Sequence, residues 1–165
     1  MIILGVDPGT VAMGYGVLKN LNDEITMVVC GVLTPKARSP IGERLSFLYK
    51  ELSAIISKQR PDVLAVEQPF FAKNARSALA IGRAQAVAIL AAANNGISAY
   101  EYTPAQVKMR VANYGASSKE QIQQMVKLQL GLKEIPEPND AADALAVALC
   151  HIGEMRLNDL LSRQR

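Results

Sequence analysis

Tryptophan is absent from the 165 residues, histidine occurs once, cysteine twice, and aromatics make up only 5%. Cys30 and Cys150 stand far apart in apolar surroundings. Neither their spacing nor their neighbours form a metal site, and buried, reduced thiols are the expectation. A lone histidine, His151, is expected to be structural. No Ser-His-Asp arrangement or Walker A motif is present. Met1 leads straight into an apolar strand pattern, without a charged n-region, h-region or cleavage site. No apolar run is expected to reach membrane-span length, so a cytoplasmic protein is expected. Internal repeats and linkers are also missing.

What remains is an ordinary globular composition, half hydrophobic and one-fifth charged. Its length fits a single domain with a sizeable core over residues 1–156, with a basic, flexible tail at 157–165. The net charge of +3 is a weak pointer to a polyanionic partner.

Ile2-Ile3-Leu4-Gly5-Val6 is an apolar run that ends abruptly in Asp7 and is broken by Pro8-Gly9. It reads as a buried strand delivering one carboxylate at its C-terminal end. A turn aspartate capping its own loop would look the same, and this stretch alone does not separate the two. Gly14–Leu18 reads as the strand returning antiparallel, and Ile25–Thr34 as a third strand after an Asn22-Asp23 turn. A basic loop, Pro35–Pro40, leads into an amphipathic helix over Ile41–Arg60, stopped by Pro61. Asp62–Glu67 then repeats the opening device. A strand, crossover helix and strand imply parallel pairing, which would bring Asp7 and Glu67 to one sheet edge.

The segment Ala75–Ala93 is a helix apolar round most of its circumference. It must be covered on more than one side, by a second subunit or by the chain's own C-terminal helices. Ala80, Ala84 and Ala88 would permit close approach. Ile97–Tyr102 reads as the last strand. Thr103-Pro104 opens a short helix through Val111, and Ser117-Ser118-Lys119-Glu120 is a capping box for the next, to about Leu130. Lys108, Arg110, Lys119 and Lys127 are spread over this pair. Asn139 is expected to cap a final helix, Asp140 to about Met155.

Asp140 and Asp143 fall at i and i+3 in that helix's first turn, on one face. Acids there also favour the helix dipole, a purely structural explanation. The apolar run after Asp143 argues for a buried first turn that needs a cation. With Asp7 and Glu67 they make four carboxylates that one α/β fold can converge. Their repulsion amounts to several kcal/mol at intermediate dielectric. Ions must offset it, or some groups must protonate. An all-oxygen set suits Mg²⁺ or Mn²⁺, and such sites support two-metal phosphodiester hydrolysis.

In order and spacing, Gly5-Val6-Asp7-Pro8-Gly9-Thr10, Val66-Glu67-Gln68, Phe70, Ala72-Lys73-Asn74, Glu101-Tyr102, Gln106-Val107-Lys108, Lys119-Glu120-Gln121 and Asp140–Ala146 resemble the RuvC-type Holliday-junction resolvases. The resemblance covers nearly the whole chain. It implies the ribonuclease H-like α/β fold: a five-stranded mixed sheet, its first three strands antiparallel and the rest parallel additions, flanked by helices. It implies a Mg²⁺-dependent endonuclease that resolves four-way junctions by paired symmetric nicks in DNA recombination and repair. Asp7, Glu67, Asp140 and Asp143 would be the catalytic metal ligands, holding two Mg²⁺ ions, with Mn²⁺ a substitute. Phe70, Lys73, Lys108 and Lys119 would contact DNA. Phe70 would stack on an unpaired base, the alternative being a loop residue packed on the core. Further implications are a homodimer through the Ala75–Ala93 helix and cooperation with the RuvAB branch-migration complex. Two departures stand out: Arg83 lies two residues from the family's usual arginine, and Asn113 replaces a common glycine.

The nearest rival is a related nuclease cutting flaps or RNA–DNA hybrids, which would share the acids without needing a symmetric dimer. A sugar-kinase-like phosphate hairpin also reads Asp-x-Gly-Thr, but that fold needs two such domains. A non-catalytic junction-binding module is a third reading, opposed by four intact acids.

Overall fold

The computed structural model describes residues 1–22, 24–69 and 75–163. Its centre is a five-stranded sheet ordered β3-β2-β1-β4-β5. The strands are β1 (Ile2–Asp7), β2 (Met13–Leu21), β3 (Glu24–Leu33), β4 (Val63–Glu67) and β5 (Ser98–Tyr102). β1 pairs antiparallel with β2 and β2 with β3, whereas β1–β4 and β4–β5 are parallel. This is the mixed sheet that the sequence pattern and the resemblance led us to expect.

Strand alternation sends neighbouring residues to opposite faces. Leu4, Val6, Val17, Leu64 and Val66 pack beneath α1 (Ile41–Gln59) and α2 (Ala75–Asn94). Ile3, Leu18, Ala65 and Tyr102 pack on the other face beneath α3 (Pro104–Ala112), α4 (Lys119–Gln129) and α5 (Asn139–Ser162). The C-terminal helices therefore do not cover α2. Ala84 and Ala88 are fully buried against the sheet and α1, so they do not form an outer small-residue stripe. The outer stripe carries Leu79 and Leu90, 57% and 53% exposed, with Arg83 and Ala86 also exposed. By length and composition α2 does reach the threshold of a membrane span, against expectation, with a mean hydropathy of 1.2. Its inner face is nonetheless packed on β4, β5 and α1.

Close backbone approach sets α5 across β1 and β2. A Cβ at Gly5 would lie 2.9 Å from the Ala148 backbone nitrogen, and one at Gly14 2.6 Å from the Asp140 carbonyl carbon. Only glycine admits the helix at that distance.

β2 runs four residues longer than the expected Gly14–Leu18, and the C-terminal helices depart from expectation at three further points. The cap of α4 is Ser118, not Ser117: its hydroxyl accepts from the Gln121 N–H, and Gln121 returns the bond. Ser117 is buried and donates to the Tyr114 carbonyl. Asn139 lies inside α5, whose N-cap is Pro138 without a side-chain bond. The same helix continues to Ser162, so residues 157–162 are helical rather than an irregular tail. Asn113 ends α3 at φ 55°, the left-handed conformation that asparagine tolerates in place of glycine. Of the thiols, Cys150 is buried and Cys30 half-buried.

Candidate active site

The parallel register ends at Val6 opposite Val66, so Asp7 and Glu67 leave the sheet side by side at the C-terminal ends of β1 and β4. α5 arrives over this edge with its first turn. Gly14, the partner of Asp7 across β2, lies under the Asp140 carbonyl. The helix is thus held down where its two acids begin.

Asp7, Asp140 and Asp143 each bring one carboxylate oxygen within 4.8 Å of the others. This is the one such acidic, histidine or cysteine cluster among the described residues. Glu67 is outside that group of three. It lines a cavity of about 200 Å³ with Asp143, Lys108 and Lys119, walled by Val107 and Ile122. Lys119 Nζ pairs with Asp143 Oδ2 at 2.5 Å. Lys119, first residue of α4, thus faces the acids rather than standing free on a helix face. Arg110 is turned elsewhere, its Nε donating to Glu154 at 2.7 Å. Phe70 and Lys73, both expected at the DNA, lie outside the described residues.

His151 is buried, its Nδ1 2.7 Å from the Tyr102 hydroxyl. It ties α5 to β5 about two helical turns beyond Asp143 and is not part of the acidic cluster, as expected of a structural histidine. Burial holds it below the usual histidine range.

Electrostatics show what the cluster lacks. Burial pushes Asp7 up to about 8, reinforced by the charges of Glu67, Asp143 and Asp140 and opposed by Lys119. Burial and then Asp143 push Glu67 up to about 7, while Lys119 and Lys108 act in the other direction. Lys119 is raised: burial opposes its charge, but Asp143, Asp7 and Asp140 outweigh that. One lysine does not neutralise this many converging acids. An all-oxygen donor set with surplus negative charge fits a hard divalent cation.

This predicts a measurable pH dependence. In the folded state Asp7 keeps its proton to about 8, whereas unfolded it ionises near 3.8. Between those values the folded state binds more protons than the unfolded state, so stability falls as pH rises. Glu67 adds to the same slope. Metal-free protein should therefore melt progressively lower from pH 5 to pH 8, by at least about 3 °C. A divalent cation held by the converged acids would bind only the folded state, so millimolar Mg²⁺ should reverse most of the loss at pH 8. Thermal melts in EDTA and in Mg²⁺ check this; a flat profile in EDTA would show that the acids are better solvated than their burial implies.

Sequence patterning alone did not reveal the cavity walls Val107 and Ile122, nor the tie from Arg44 to the β1–β2 hairpin. The Arg44 guanidinium donates from Nε and Nη2 to the Thr10 carbonyl and from Nη2 to its hydroxyl. Helix boundaries read from caps do not say which side chains border the acids.

Comparison with known proteins places these features in a family. Residues 3–151 match the family model of crossover junction endodeoxyribonuclease RuvC. A protein of that description from Dehalococcoides mccartyi is 55% identical over 163 residues, covering 99% of this chain and 98% of its own. One from Desulfitobacterium hafniense is 48% identical, covering 95% of each. Among solved structures, Thermus thermophilus RuvC in complex with a Holliday junction substrate superposes with a TM-score of 0.89. It is 33% identical and covers 96% of each chain.

Proposed function

Because the chain belongs to the RuvC family of crossover junction endodeoxyribonucleases, we propose that it resolves four-way DNA junctions by paired, symmetric, metal-dependent nicks. The observation that carries this is the convergence of Asp7, Asp140 and Asp143 beside Glu67, at the edge where β1 and β4 end. These four acids would hold two Mg²⁺ ions, with Mn²⁺ able to substitute. When bound, the ions supply Lewis-acid charge for in-line phosphodiester hydrolysis.

The chain's own side chains supply the rest. Lys108 and Lys119, at the cavity with Glu67 and Asp143, offset phosphate charge as the backbone enters. Lys119 also balances Asp143 before substrate arrives. Phe70 stacks on an unpaired base at the crossover, and Lys73 contacts DNA.

Symmetric nicking of two strands needs two active sites in fixed relation. The exposed Leu79, Arg83, Ala86 and Leu90 face of α2 supports a homodimer through that helix. Residues 1–156 act as one nuclease domain, working in the cytoplasm in recombination and repair beside the RuvAB branch-migration complex.

The test is cleavage of a labelled immobile four-way junction in Mg²⁺, beside linear duplex, flap and RNA–DNA hybrid. Paired opposed nicks on the junction alone are expected. Cutting of the other substrates would turn the protein into a general nuclease, and binding without cutting would make it a junction-binding module.

A further inference from the structure

We propose that the β3–α1 loop, through Lys36 and Arg38 with Arg44 beside them, is a second phosphodiester-binding site, holding the backbone of a junction arm beside the acidic centre. This rests on the junction reading above.

Its position follows from topology. β3 runs parallel to β1, and Met13 pairs with Leu33 where Gly14 pairs with Asp7. The loop after Leu33 therefore leaves the same end of the sheet as Asp7, two strands away. Strand spacing makes that roughly 10 Å, about three base-pair steps along a DNA strand. An acidic cluster at that edge repels phosphate, so backbone binding beside it needs cations placed close by.

The loop is built rather than merely basic. The Lys36 carbonyl accepts from the Ser39 hydroxyl at 2.8 Å, closing a tight turn. Arg44, half-buried, is clamped on Thr10 through Nε and Nη2, leaving Nη1 with no bond to a described residue. Lys36, Arg38 and Arg44 line one cavity of about 190 Å³ with Val11, which is 71% exposed. Neither Lys36 nor Arg38 has an acidic partner among the described residues. Glu43 sits in the first turn of α1 but does not line the cavity.

Arg38 carries the argument furthest. Its φ is 62°, in the left-handed region. A glycine or asparagine would fold this turn with less strain, and such strain persists where the residue type is needed for another purpose. An exposed arginine, fixed in a strained turn beside a second free cation and a clamped guanidinium, fits an anionic backbone. A merely solvated loop would not need three cations lining one cavity.

Two loss variants and one conservative control test it in EDTA, where binding is read without cleavage, by anisotropy of a labelled four-way junction at several salt concentrations. Arg38→Gly should keep or raise the melting temperature, because it relieves the turn. It should nevertheless weaken binding and reduce the slope of log K against log salt by about one. Lys36→Ala/Arg38→Ala should reduce that slope by about two and weaken binding on the order of tenfold at physiological salt. Arg38→Lys should recover part of the loss. Parent-like affinity and slope in both variants would overturn the proposal. So would weaker binding with an unchanged slope, since phosphate contact requires the slope to change. If the parent protein binds no junction at all, the junction reading itself fails and the loop's role falls with it.

Discussion

Asp7→Asn should lower junction cleavage by at least about 10³-fold while leaving junction binding intact. Asp7 contributes to the three-oxygen cluster and has Glu67 as its neighbour at the strand ends. A neutral amide there would remove one anionic ligand of the proposed metal site, and metal stabilisation of a phosphoryl transition state is worth several kcal/mol. The proposed binding groups, Lys36, Arg38, Lys108 and Lys119, are untouched. The same substitution should make the metal-free protein more stable at pH 8. Its buried carboxylate is pushed up to about 8 by burial and by three neighbouring acids, and an amide removes both the buried charge and the repulsion. A melting temperature raised by at least about 3 °C in EDTA at pH 8, with little change at pH 4, is the signature. The combination matters more than either result. A merely structural aspartate would lose stability on substitution, whereas a metal ligand held without its metal gains stability as it loses activity. Single-turnover cleavage, anisotropy and melts on one purified sample check all three, and retained cutting would remove Asp7 from the site.

The sheet and its acidic edge were legible because charge follows apolar runs so abruptly at Asp7 and Glu67. Two such runs joined by a crossover helix have essentially one way to pair. What pattern could not give was distance. All four acids look alike in sequence, yet three share a cluster while Glu67 borders the lysine-lined cavity next to it. That division depends on where α5 crosses the sheet, a tertiary fact set by Gly5 and Gly14.

Ambiguities of one residue went the same way. Ser117 and Ser118 each stand three residues before an acid or amide, Glu120 or Gln121. Burial of Ser117 against Tyr114 decides the phase of α4, and with it the approach of Lys119 to Asp143. The end of α5 was set short because its apolar pattern gives way to mixed residues after Met155. No glycine or proline follows, however, and Leu160 and Leu161 remain helical though half exposed. The basic loop was visible as Pro35–Pro40, but only strand order places it at the catalytic edge.

Gly14→Ala should cost about 10²-fold in cleavage, far more than its effect on the fold would lead one to expect. A Cβ on Gly14 would collide with the Asp140 carbonyl oxygen and stand 2.6 Å from its carbonyl carbon. Both are backbone atoms in the first turn of α5, so no rotamer change relieves the clash and the helix must move. Overpacking of this kind costs about 1–3 kcal/mol, a drop of several degrees in melting temperature. Because the displaced turn carries Asp140 and Asp143, a shift near 1 Å disrupts a cluster whose oxygens lie within 4.8 Å of one another. Misplacement on that scale costs about a hundredfold in rate. Gly16→Ala supplies the contrast. Its Cβ would stand 2.6 Å from the Leu145 side chain, whose far end can rotate away. Leu145 Cγ at 2.7 Å and its backbone nitrogen at 3.2 Å must also give, but the closest atoms are side chain and lie beyond Asp143. That variant should lose comparable stability but less cleavage rate than Gly14→Ala. Equal activity losses in the two variants would mean that the glycines serve core packing alone. A loss confined to Gly14→Ala would show that β2 sets the height of the helix over the acids. The Asp7–Asp140–Asp143 spacing would then be a property of backbone contact rather than of the side chains that converge there.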